Sequence, residues 1–128
     1  MILFLSTGPY DDALQRFEQQ LIRTVAPEQI EMHYKWAAFL RRIREKTYDI
    51  RLIVAWVPDL ETLNRLASSQ GDLCGLDIVI LAGAGIDQSN QRLYRFFPRI
   101  VLRIGVDEAT ALEFIKAKIR ALNARMTF

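Results

Sequence analysis

Three stretches of this chain are apolar almost without interruption, and they set the frame for the rest. The strongest is Ile50-Arg51-Leu52-Ile53-Val54-Ala55-Trp56-Val57, closed by Pro58 and Asp59. Its single charge and β-branched residues predict a strand buried on both faces, as in the middle of a parallel sheet. Met1 to Leu5 and Leu76 to Ala82 read the same way. Ile30-Glu31-Met32-His33-Tyr34 alternates apolar with polar, as a strand with one wetter face does, and Ile100 to Ile104 is short. These two belong at the edges of the sheet.

Between the strands the apolar period changes to that of helices. Leu14, Phe17, Leu21, Ile22 and Val25 share one side of a helix that Asp11 or Asp12 can cap and Pro27 ends. Trp36, Phe39, Leu40 and Ile43 predict a second helix over Lys35 to about Lys46. Leu60, Leu63, Leu66 and Ala67 predict a third, capped by Asp59 behind Pro58 and closed by Ser68-Ser69-Gln70-Gly71. A short, weakly patterned helix is expected over Asp87 to Phe97. The last one, with Asp107 as cap, carries Leu112, Ile115, Ile119, Leu122 and Met126 at helical spacing.

Strand and helix therefore alternate along the whole chain, the signature of an α/β domain with helices on both sides of a parallel sheet. With the runs at Met1, Ile50 and Leu76 inside and the other two outside, right-handed crossovers favour the flavodoxin-like order 2-1-3-4-5. The expected fold is a three-layer α/β/α sandwich made as one domain over residues 1–128. In such sheets ligands and chemistry gather beyond the carboxyl ends of the strands.

Composition narrows the chemistry. The chain has 128 residues, 51% of them hydrophobic and 25% charged, which fits a folded globular domain. A formal net charge of +2 gives no general reason to expect nucleic acid. Cys74 is the single cysteine and His33 the single histidine, so neither an internal disulfide nor a soft-ligand metal set is expected. The apolar amino terminus is too short for a signal-peptide core, and no run reaches the roughly 18 to 20 residues that span a bilayer. The expected location is cytoplasmic, with no membrane association.

In architecture and spacing the chain resembles a receiver domain of the bacterial two-component response regulators, over nearly its whole length. Receivers end their first strand in two acidic residues followed closely by proline; here Ser6 and Thr7 stand in those places before Gly8-Pro9. Their phosphate-accepting aspartate lies four residues before a proline ending the third strand. Counting back from Pro58 gives Val54, and a slip of one or two gives Ala55 or Trp56. The family's hydroxyl at the end of strand four is matched by Ala82, and Arg103 lies nearest the place of its lysine. Receivers need several carboxylates to hold a hard magnesium ion and one to attack phosphorus, and these substitutes supply neither. The resemblance thus implies a pseudo-receiver that keeps the scaffold and has lost the phosphoryl chemistry, with no cofactor and no catalytic or metal residue.

Asp59 is the one acid near that site, and a helix cap accounts for it better than a displaced phosphate acceptor. Trp56 should share a face with Val54 and act either as a lid over a ligand pocket or, the reading favoured, as an aromatic plug, ringed by Ser6, Thr7 and Arg103. Ser6-Thr7-Gly8 also resembles a flavodoxin phosphate loop, but Pro9 lacks an amide and Asp11 and Asp12 oppose an anion. Gly83-Ala84-Gly85 lacks the third glycine of a dinucleotide fingerprint and reads as a turn or a close backbone approach. His33 has no serine or cysteine partner in view, and Cys74 reads as a packing residue.

Two surfaces remain. Lys35, Arg41, Arg42, Arg44 and Lys46 make the second helix basic, which is ordinarily a solvated face. Arg92, Tyr94, Arg95, Phe96 and Phe97 crowd large apolar groups and arginines into one short segment, the composition of an interface hot spot, with ordinary packing the equal alternative. The expected function is accordingly non-enzymatic: a receiver-like signalling or protein-interaction domain with an unidentified protein partner, a homodimer being one form. The alternative is a flavodoxin-type binder of a flavin or nucleotide.

Overall fold

The computed structural model describes residues 2–7, 12–25, 27–45, 50, 52–73, 75–83, 86, 100–103 and 108–126. Its strands are β1 (Ile2–Ser6), β2 (Ile30–His33), β3 (Leu52–Val57), β4 (Ile78–Ala82) and β5 (Ile100–Arg103). Its helices are α1 (Asp12–Thr24), α2 (Trp36–Arg44), α3 (Leu60–Ser68), α4 (Gln70–Leu73) and α5 (Glu108–Met126). All strand pairs are parallel, in the order β2-β1-β3-β4 with β5 beside β4. This is a mixed α/β architecture compatible with a flavodoxin-like fold.

The two-residue period of the strands divides the interior into two cores. Leu3 and Leu5, Ile53, Ala55 and Val57, and Ile78, Ile80 and Ala82 meet Phe39 and Ile43 of α2 and Leu63 and Leu66 of α3. On the other face Ile2, Phe4, Leu52, Val54, Trp56, Val79 and Leu81 meet Leu14, Phe17 and Leu21 of α1 and Ala111 and Ile115 of α5. Phe4 and Phe17 pack with ring centroids 6.2 Å apart. Each fully buried side chain of this size contributes about 1.5–3 kcal/mol of transfer free energy. Strands lined on both faces by such residues have to lie between helical layers, which explains their unbroken apolar sequence.

β2 handles its free edge differently. Ile30 and Met32 lean on the α1/α5 core, whereas Glu31 and His33, in register with Leu3 and Leu5, lie on the α2 side. A short edge strand that turns a carboxylate and an imidazole inward offers a poor template for pairing with another chain.

Several boundaries differ from those read in the sequence. β3 begins at Leu52 rather than Ile50, although Ile50 is buried, and β4 begins at Ile78 rather than Leu76. The third helix closes within Ser68-Ser69-Gln70-Gly71 as read, but a further helical turn follows at once. Ser69 caps α3, its N–H donating to Leu66 and Ala67 carbonyls, and its own carbonyl then accepts from Asp72 and Leu73 and starts α4. Buried Leu73 fixes that extra turn to the core. The backbone reversal comes later, at Gly75, whose φ of +84° is open to glycine. A 3-10 turn, Pro27–Gln29, leads into β2. Asp12 lies within α1, not before it. Asp11, Cys74, Asp107 and the helix expected over 87–97 fall outside the described residues. Among the described residues no helix is long and apolar enough to cross a membrane.

Candidate functional site

The carboxyl ends of β1, β3 and β4 form the mouth where the receiver resemblance places its chemistry. Val54 and Ala55, both fully buried, are register partners of Phe4 and Val79 and of Leu5 and Ile80. They therefore sit inside the sheet, below its rim. Trp56 is the first of the three candidate positions level with the end of β1: it pairs with Ser6 on one side and Leu81 on the other.

Trp56 shares the α1/α5 face with Val54, as the period requires, and is 2% exposed. Its ring reaches across to the chain leaving β4. The Gly83 N–H donates to the Val57 carbonyl at 2.9 Å, prolonging the β3–β4 pairing past the strand ends. This draws Gly83 so close that a Cβ there would stand 3.0 Å from Pro58 Cα and 3.1 Å from Trp56 Cη2. Glycine is favoured at this position by close approach, not by a left-handed backbone.

Ser6 is also 2% exposed, and its Oγ has no hydrogen-bond partner. Such a hydroxyl costs about 1–3 kcal/mol when desolvated and unpaired. Thr7 is half-buried. Ala82 is fully buried between its register partners Val57 and Arg103. Arg103 thus pairs one step beyond the Trp56–Leu81 level rather than beside the indole; its side chain lies outside the described residues.

Asp59 has an assigned task. Its Oδ1 accepts from the Thr62 N–H and from Thr62 Oγ1, both at 2.9 Å, while its own backbone is extended. That is an N-cap, and it directs the Asp59 carboxylate toward α3. Among the described residues no three His, Cys, Asp or Glu side chains come together as metal ligands. The side chains of Ser6, Val54, Ala55, Trp56 and Ala82 offer a hard cation a single neutral hydroxyl oxygen.

His33 ends β2 in register with Leu5, one step before Ser6, on the α2 side of the sheet. Its Nε2 lies 3.1 Å from Glu31 Oε1, and its ring meets Phe39 edge-on with centroids 6.2 Å apart. Arg42 donates through Nε to the other Glu31 oxygen at 3.0 Å, so β2 is tied to α2 through one carboxylate. Arg44 forks onto Asp72 at 3.3 and 3.2 Å. Two of the cations on the basic helix are thereby held by carboxylates. Lys46 and the whole cluster Arg92, Tyr94, Arg95, Phe96 and Phe97 lie outside the described residues.

Sequence reasoning passed over Thr62 and Glu31. The Asp-x-x-Thr spacing before an apolar helix was the available sign of the first. For the second, only the two-residue separation from His33 was visible.

No family model matches this sequence, and no curated protein does so either. Among solved structures, a lysine decarboxylase from Francisella novicida superposes with a TM-score of 0.62 at 13% sequence identity. The likeness is one of fold. It covers 94% of this chain and 17% of the decarboxylase, so the chain spans only a small part of that protein's length.

Proposed function

We propose that this chain is a receiver-like domain of the flavodoxin-like class that has no phosphoryl chemistry and works, without catalysis, through protein contacts. The observation that carries this reading is the filled mouth of the sheet. Where a phosphoswitch needs converging carboxylates, this chain has a buried indole against Gly83, a buried Ser6 and an Asp59 engaged in capping α3. A transferable phosphoryl group needs a nucleophile and a cation site, and neither is built from these residues. That a fold of this size also forms 17% of a lysine decarboxylase chain fits a module used alongside other domains.

The contact face proposed from sequence comprises Arg92, Tyr94, Arg95, Phe96 and Phe97 with β5 and α5. Its partner is a protein, a second copy of the chain being the simplest case.

The deciding experiment is amide NMR with magnesium and beryllofluoride, a mimic of the acyl phosphate. Unchanged resonances from Leu52 to Asp59 are expected. Shifts concentrated at Val54 to Asp59 would overturn the proposal.

A second reading, a small-ligand site of flavodoxin type, draws on the unpartnered Ser6 Oγ, because a buried hydroxyl without a partner is a place for an incoming polar group. FMN or a nucleotide that raises the melting temperature of the wild-type chain but not of Ser6→Ala would favour it over the first.

A further inference from the structure

We draw no further inference here: the strongest candidate, an open groove of about 450 Å³ between α1 and α5 lined by Gln20, Arg23, Thr24, Leu112, Glu113 and Lys116, carries nothing because no feature of the structure shows what would cover it.

Discussion

Trp56 of β3 and Gly83, just past the end of β4, meet at the limit of contact, with Cη2 of the indole 3.1 Å from where a Gly83 Cβ would stand. Two of the three closest obstacles around that point belong to the Pro58 backbone, its Cα at 3.0 Å and its carbonyl oxygen at 3.3 Å. Backbone cannot swing aside as a flexible side chain does. Gly83→Ala is therefore expected to destabilise the fold by about 1–3 kcal/mol, the usual cost of overpacking. Urea unfolding measures the loss. A variant as stable as wild type would show that β3 and β4 do not approach as described.

Asp59 gives a smaller effect with a clear chemical signature. Asp59→Ala removes the acceptor for two Thr62 donors and should cost about 1 kcal/mol. Asp59→Asn keeps a side-chain oxygen and should recover most of it. If Asp59 served a phosphoryl site instead, the two variants would lose a response to beryllofluoride alike, with stability hardly changed.

The sheet was legible because its strands are buried on both faces: Leu52 to Val57 could be placed without knowing any partner. The division of Val54 and Trp56 from Ala55 and Val57 followed from the same period. Asp59 was legible too, since a cap is a local interaction three residues long. The closure of the third helix within Ser68-Ser69-Gln70-Gly71 was legible, but the extra turn was not, because glycine commonly ends helices, whereas here Leu73 finds core to bury against and the helical turn resumes as α4. The Arg42–Glu31 bond spans 11 residues and joins two elements. No local period announces such a pair. Nor could spacing show that Gly83 lies under Trp56, which depends on how β4 docks on β3.

Ser6 provides a test of an opposite sign. Its hydroxyl is buried without a partner, so Ser6→Ala should leave stability unchanged or raise it by up to about 1 kcal/mol, because a desolvated group is removed. A loss above about 1 kcal/mol, outside the range that methyl replacement of an unpaired hydroxyl predicts, would mean that the hydroxyl is satisfied in solution by water or a ligand. Thermal unfolding of the purified chain distinguishes these outcomes.

Glu31 should couple β2 to α2. Its pair with Arg42 is partly screened from solvent, the side chains being 35% and 17% exposed, which places it above an ordinary surface ion pair. A double-mutant cycle with Glu31→Gln and Arg42→Gln should return a coupling of about 0.5–1 kcal/mol, weakening as salt is raised. The same cycle between Glu31 and Lys118 of α5, whose ammonium pairs with Asp77 ahead of β4, should return none.

Trp56 itself decides whether the mouth is plugged by bulk or occupied for another reason. Trp56→Ala removes the largest of the fully packed side chains and should cost about 3–5 kcal/mol through lost burial and the cavity left behind. Trp56→Phe refills part of that space and should cost markedly less. A cavity left among Val54, Leu81 and Phe4 would be apolar apart from the Ser6 hydroxyl, and largely apolar cavities accept small aromatic guests. Added indole should then raise the melting temperature of Trp56→Ala in a saturable manner and leave wild type unaffected. A small loss on truncation, or no rescue by indole, would show that the indole is not what fills the space between Ser6, Leu81 and Gly83.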